Sequence, residues 1–170
     1  GKLWVSLSPN RISDGKEPVS LITLEDTRFL HCNIKTLNLI PSVIASQKAK
    51  DAGADEAVLY RPGELVTECA HSNVHILKDG VLKTHPEDNL ILGGIARAHL
   101  LRACDALSVP TDETAFTLTE LFDADEVIVT SSSNLCIRAE MIDGKPVGGK
   151  APELFERLRS YLIDEFLTET

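Results

Sequence analysis

A chain of 170 residues can enclose one sizeable core but not two ordinary domains. Hydrophobic residues at 43% and charged residues at 25% are those of a folded globular protein, and they exclude a disordered or fibrous class. With 26 acidic against 17 basic side chains the net charge is −9, which argues against a nucleic-acid backbone or an anionic membrane surface as the main partner, though not against a small anion held by local donors.

Residues 1–20 hold Pro9, Asn10, Asp14, Gly15 and Pro18, and read as turns around short extended pieces, a linker ahead of a domain spanning 21–170. From Val19 to Ile40 the text is rich in Val, Leu, Ile and Thr without helical period, and predicts two strands. Pro41 suits the first turn of a helix over Ser42–Lys50, and Gly53 its C-terminal end. Strands follow at Glu56–Tyr60, Leu65–Cys69, Asn73–Leu77 and Val81–Thr84; Arg61-Pro-Gly63 turns the first pair, and Asp79-Gly80 is a type I′ hairpin signal. Gly93-Gly94 precede an amphipathic helix over Ile95–Leu107, and a short helical turn covers Leu118–Phe122. Glu126–Thr130 and Ile137–Ile142 are further strands, Asp143-Gly144 is a second turn, and Pro152–Phe166 is a final amphipathic helix. The reading is a mixed α/β (α+β) domain: a mostly antiparallel strand meander interrupted by three helices.

Cys32, Cys69, Cys104 and Cys136 are far apart, with no C-x-x-C pair, and each sits in an apolar run. They read as reduced core thiols, which favours the cytosol. No apolar run approaches the roughly 18 residues of a membrane span and no signal peptide opens the chain, so a cytoplasmic location is expected.

Lys35 stands alone among apolar and small polar residues in Leu30-His-Cys-Asn-Ile-Lys-Thr-Leu-Asn-Leu-Ile40. It is either a solvent-facing lysine on an edge strand or a partly buried amine serving as nucleophile or Schiff-base lysine. Glu68 lies in the apolar hairpin Leu65-Val-Thr-Glu-Cys-Ala-His-Ser-Asn73, and if buried it needs a cationic or hydrogen-bonding partner. A protonated pyridine nitrogen is one such partner. Two segments read as anion cradles: Leu92-Gly-Gly-Ile-Ala96, whose amides at a helix start would face a phosphate, and Thr130-Ser-Ser-Ser-Asn134, which adds hydroxyls. His71 and His75 have no third ligand to make a metal set, and no serine stands in a nucleophile elbow.

Taken in order, Asn33-Ile-Lys-Thr-Leu-Asn38, Val66-Thr-Glu-Cys-Ala-His-Ser-Asn73, Thr84-His-Pro-Glu-Asp-Asn-Leu-Ile-Leu-Gly-Gly-Ile-Ala-Arg97 and Val129-Thr-Ser-Ser-Ser133 resemble fold type IV enzymes that depend on pyridoxal 5′-phosphate (PLP). The likeness runs from about Leu21 to the final helix and is most specific for the D-amino acid aminotransferase (D-alanine aminotransferase) family. It implies that family's C-terminal domain, a pseudobarrel with three or four helices. It implies that Lys35 carries PLP as a Schiff base and shuttles a proton, and that Glu68 pairs with the pyridine nitrogen. Leu92 would pack on the ring, and Gly94, Ile95, Ala96, Ser131 and Ser132 would hold the phosphate. The family often has threonine where this chain has Ala96, small serines in place of His71 and glycine in place of Cys69.

The implied reaction moves an amino group from a D-amino acid such as D-alanine to a 2-oxo acid such as 2-oxoglutarate, in a homodimer. The family's first lobe, which supplies a phosphate-binding arginine and the grip on the substrate carboxylate, has no counterpart here. The expectation is therefore a part of a longer enzyme with little transaminase activity of its own. Alternatives are an aminodeoxychorismate lyase that eliminates pyruvate, a branched-chain L-amino acid aminotransferase, and a non-catalytic dimerisation module.

Overall fold

The computed structural model describes residues 1–7 and 15–168. The turns expected around Pro9, Asn10 and Asp14 lie outside the described residues. Strand β1 (Val19–Glu25) leads into helix α1 (Ile40–Asp51), which has Pro41 in its first turn and ends just before Gly53 at φ 75°. The chain then runs through β2 (Glu56–Arg61), β3 (Leu65–Cys69), β4 (Asn73–Lys78) and β5 (Val81–Thr84). Asp79 and Gly80 both have positive φ, 49° and 78°, as the type I′ reading requires. Helix α2 (Ile95–Ala106), the short β6 (Thr111–Asp112) and α3 (Leu118–Asp123) come next. Strands β7 (Glu126–Thr130), β8 (Ile137–Ile142) and β9 (Lys145–Pro146) precede the last helix, α4 (Pro152–Thr168).

The strands form one sheet in the order β3-β2-β1-β8-β7-β4-β5-β6, with β9 paired to β8. Strand β7 shows why it holds together: Val127 and Val129 enter one core cluster and Ile128 the other, so the strand is covered on both faces. One cluster closes over Phe116 and Leu121, and the second packs α2 and α4 through Leu100, Ala103, Phe155, Leu158 and Leu162. A third is smaller, where Ala45 and Ala49 of α1 rest on Ala57 and Leu59 of β2. Small residues there let the helix approach the sheet closely.

One expectation is corrected. The segment Val19–Ile40 forms one strand and not two: residues 26–39 run as turns, and Lys35 stands in a loop. Both edges of β1 are already taken, by β2 and β8, so a further strand has no place beside it. Local bonds settle the loop instead, from Ile34 N to His31 O (3.1 Å) and from Asn38 N to Thr36 Oγ1 (3.2 Å), together with a distant tie from Asn89 Nδ2 to Leu30 O (2.7 Å). The sheet is mostly antiparallel, as expected, with three parallel pairings. Strands β1 and β2 are parallel across α1, and β1 with β8 and β5 with β6 are parallel too; the other five pairings are antiparallel.

This topology gathers three loops. The start of β4 pairs with the end of β7, Asn73 opposite Thr130, so the turn after Glu68 and the serines after Thr130 lie side by side. The N-terminus of α2 meets them from the third side, with Gly94 against the Asn73 side chain.

Candidate active site

Glu68 is 5% exposed, and its carboxylate is held from three directions. Arg28 Nη1 donates to Oε1, while Oε2 accepts from Asn73 Nδ2 (2.9 Å) and the Leu92 amide (3.1 Å). A carboxylate has about four acceptor positions, so one remains for a donor from the cavity side. Burial raises the Glu68 carboxyl above the usual glutamate range, and Arg28 with the Leu92 amide offsets this only in part.

Arg28 is shared unequally. It gives Asp26 three bonds, from its backbone amide (3.0 Å), Nε (3.0 Å) and Nη2 (2.9 Å), and Glu68 one. Burial alone would raise the Asp26 carboxyl, but Arg28, helped by Arg61, holds it below the usual aspartate range. Asp26 keeps Arg28 in place, and Arg28 favours the charged form of Glu68 against burial.

Lys35 is exposed and, among the described residues, makes no hydrogen bond or ion pair. It projects into an open cavity of about 640 Å³, whose walls include Arg28, Cys32, Ser42, His71 and Leu92. A smaller cavity of about 100 Å³ adjoins it and shares Lys35, His71 and Leu92. All eight residues singled out in the sequence line this second cavity: Lys35, Glu68, Leu92, Gly94, Ile95, Ala96, Ser131 and Ser132.

The chemistry of its far wall suits a phosphate. Gly94 caps α2 with extended backbone (φ −71°, ψ 140°) and offers no side-chain acceptor, so the first-turn amides of Ile95 and Ala96 have no partner within the helix. Opposite, the loop after β7 is tied by Asn134 N donating to Ser131 Oγ (3.2 Å), with Ser131 and Ser133 hydroxyls 3.3 Å apart. Beneath the cradle His75 is fully buried, its Nδ1 2.9 Å from Thr84 Oγ1 and its Nε2 2.9 Å from Thr130 Oγ1. Burial, with Arg97 nearby, pushes this imidazole down to about 3, so it stays neutral.

The family profile of Amino-transferase class IV matches residues 2–142. The chain belongs to the class IV aminotransferases. Its D-alanine aminotransferase relatives include that of Listeria monocytogenes serotype 4b, 45% identical over 86% of this chain, and that of Bacillus licheniformis, 44% identical over 89%. The chain spans about half the length of these relatives, 51% of the first and 54% of the second. A fold IV-transaminase from Curtobacterium pusillum superposes with a TM-score of 0.80 at 24% identity, covering 91% of this chain and 56% of that one. The fold of a class IV aminotransferase is therefore present, with four helices around a mixed sheet among the described residues.

Two residues of this candidate site were missed in the sequence: Arg28 and Asn73. Arg28 had a signal, since a lone arginine two residues after Asp26 and followed by Phe29-Leu30 needs a carboxylate partner once buried. Asn73 carried none, because its role depends on Gly94 arriving from elsewhere in the chain.

Proposed function

We propose that the complete protein is a D-amino acid transaminase of the D-alanine type, and that this chain is the part that holds PLP. The observation that carries the proposal is the convergence of a free lysine, a buried carboxylate with one open acceptor position, and an uncapped helix N-terminus on one cavity. D-alanine aminotransferase relatives at 45% and 44% identity support this reaction over the lyase and the branched-chain alternatives.

When bound, PLP supplies an aldehyde that condenses with amines and a ring that withdraws electrons from the carbon next to the nitrogen. The Lys35 amine would hold the cofactor covalently, and its Nζ would be the base that moves a proton. Glu68 would accept from the ring nitrogen at its open position and favour that nitrogen's protonated form, while Arg28 works against the effect of burial on the carboxylate. The Ile95 and Ala96 amides and the Ser131 and Ser132 hydroxyls bind the phosphate, aided by the α2 dipole. Leu92 bounds the cavity on the ring side.

The proposal extends to a cytoplasmic homodimer of the complete enzyme, with small amino acids and 2-oxo acids as its only partners. Three buried free cysteines suit a reducing compartment. Around Lys35 the chain exposes Leu30, Ile34, Leu37, Leu39, Ile40 and Val43, with Leu37 at 95%, an apolar stretch that further protein would cover. Among the described residues no helix is long and apolar enough to cross a membrane.

The test is to incubate the chain with PLP, reduce with borohydride and map the labelled peptide, with Lys35→Ala as control. Label confined to the Lys35 peptide is expected, together with little turnover of D-alanine by the chain alone. Label elsewhere, or efficient release of pyruvate from aminodeoxychorismate by the complete enzyme, would overturn the assignment.

A further inference from the structure

His75 is a fully buried titratable group in β4 that the reaction described so far does not use. Each of its ring nitrogens faces a threonine hydroxyl at 2.9 Å, Nδ1 that of Thr84 and Nε2 that of Thr130. A cation already stands nearby: Arg97 is 2% exposed and fixed by Nη2 donating to His85 O (3.1 Å) and to Glu113 Oε2 (2.7 Å). That charge, added to burial, keeps the imidazole neutral. A neutral imidazole has one N–H and one bare nitrogen, so one hydroxyl accepts from the ring and the other donates to it. Two arrangements satisfy this. With the proton on Nδ1, the ring donates to Thr84 and the Thr130 proton is used up at Nε2. With the proton on Nε2, the ring donates to Thr130 Oγ1, Thr84 donates to Nδ1, and the Thr130 proton is left free to point elsewhere.

The choice matters because Thr130 belongs to two settings. It closes β7 opposite Asn73, and it lines the smaller cavity beside Ser131 and Ser132. Among the described residues its hydroxyl has no hydrogen-bond partner besides His75. No arginine is among the residues lining that cavity, and in the proposed reaction its lysine holds the cofactor. Ala96 brings an amide without a hydroxyl. A phosphate there is met mainly by neutral donors, and its oxygens only accept, so it draws any hydroxyl proton that is not already engaged. The arrangement with the proton on Nε2 supplies one such proton, and the other arrangement withholds it.

We propose that His75 is a positioning residue for the phosphate: with its proton on Nε2 it holds the Thr130 oxygen from below and turns the Thr130 hydroxyl proton into the cavity, as a donor beside Ser131 and Ser132. The inference rests on the reading of this cavity as a phosphate cradle, and adds to it a residue that does not touch the ligand.

The experiment follows the His75 ring by long-range proton–nitrogen NMR in the isotope-labelled chain, where protonated and bare imidazole nitrogens resonate far apart. Inorganic phosphate and PLP are the two titrants. With either one bound, Nε2 should be the protonated nitrogen. Thr130→Val keeps the shape of the side chain and loses the hydroxyl, so it should bind inorganic phosphate about tenfold more weakly, one hydrogen bond to a charged acceptor being lost. Thr130→Ser should restore the affinity. A proton on Nδ1 in the phosphate-loaded chain, undiminished phosphate binding by T130V, or no phosphate binding by the unmodified chain would each overturn the inference. Should T130V misfold, the ring spectrum decides alone. Borohydride labelling separates the two layers: label on Lys35 with the proton on Nδ1 refutes the role of His75 only, and absent label with phosphate bound and Nε2 protonated refutes the cofactor reading only.

Discussion

Two adjacent glycines, Gly93 and Gly94, precede α2, and the structure assigns them opposite tolerances. Neither needs positive φ, so an added methyl is judged by what it meets. At Gly94 a Cβ would lie 2.2 Å from Asn73 Oδ1. Asn73 is 5% exposed and cannot retreat without breaking its bonds to Glu68 Oε2 (2.9 Å) and Leu92 O (2.8 Å). Overpacking costs about 1–3 kcal/mol and a lost hydrogen bond to a charged group about 1.5–3 kcal/mol. The reduced freedom of the unfolded chain returns only about 0.4–1 kcal/mol. Gly94→Ala should therefore destabilise by about 2–4 kcal/mol, and should displace Glu68 as well. At Gly93 the Cβ would lie 2.3 Å from Glu87 Oε1, but that side chain is 63% exposed and can swing away, giving up one loose pair with Arg97 at 3.5 Å. An exposed pair is worth about 0–1 kcal/mol, so Gly93→Ala should come out within about 0.5 kcal/mol of neutral. Urea unfolding of both variants is the assay, and with slopes of about 1–3 kcal/mol/M the G94A midpoint should fall by about 1–2 M. Equal midpoints for the two variants would refute the claim that Asn73 is wedged between Glu68 and the start of α2.

Other outcomes follow from burial and charge. Cys69, Cys104 and Cys136 are buried, the last two with thiols pushed up to about 12, whereas Cys32 is half-buried; native alkylation at neutral pH should label Cys32 alone by mass spectrometry, and denaturant should release all four. His75, held down to about 3 by burial, binds a proton more weakly folded than unfolded, so its share of stability is present above about pH 6.5 and is lost as pH falls towards 3. Urea midpoints of the unmodified chain and His75→Gln, compared at pH 7 and pH 5, should converge by about 1.4 kcal/mol per pH unit below 6.5, and a constant difference would mean that the ring is not buried neutral. Thr117 and Glu120 form a reciprocal capping box on α3 (Glu120 N to Thr117 Oγ1 3.2 Å, Thr117 N to Glu120 Oε2 2.8 Å), so Thr117→Ala should cost about 1 kcal/mol in the same assay.

Local signals in the sequence served well where local chemistry decides. Asp79-Gly80 and Asp143-Gly144 appear as positive-φ turns, and β7 and β8 take the bounds that apolar runs predict. The convergence of eight residues on one cavity was legible only through the resemblance, since Lys35, Glu68 and the two loops are far apart in the chain. Illegible were the features set by distant partners. The Lys35 segment has strand-like composition, yet it is a loop because β1 has both edges filled. The two-residue strands β6 and β9 exist only as pairings to β5 and β8.

The acidic chain and the proposed anion-binding cavity are compatible because the two operate over different distances. A net charge of −9 acts through solvent, where about 8 Å of physiological salt water screens it. The cradle acts at hydrogen-bond range, through amides that carry no net charge and need no basic side chain. What the acidic side chains do locally is neutralise fixed cations: Asp26 and Glu68 both pair with Arg28, whose Nη2 also donates to Leu90 O. That leaves the arginine unable to compete for the phosphate, and leaves Glu68 with one oxygen position facing the cavity. Replacing Asp26 by Asn would free Arg28 to pair fully with Glu68, filling that position. On this reasoning the residue that controls the acceptor at the floor of the site is Asp26, which does not line the cavity at all.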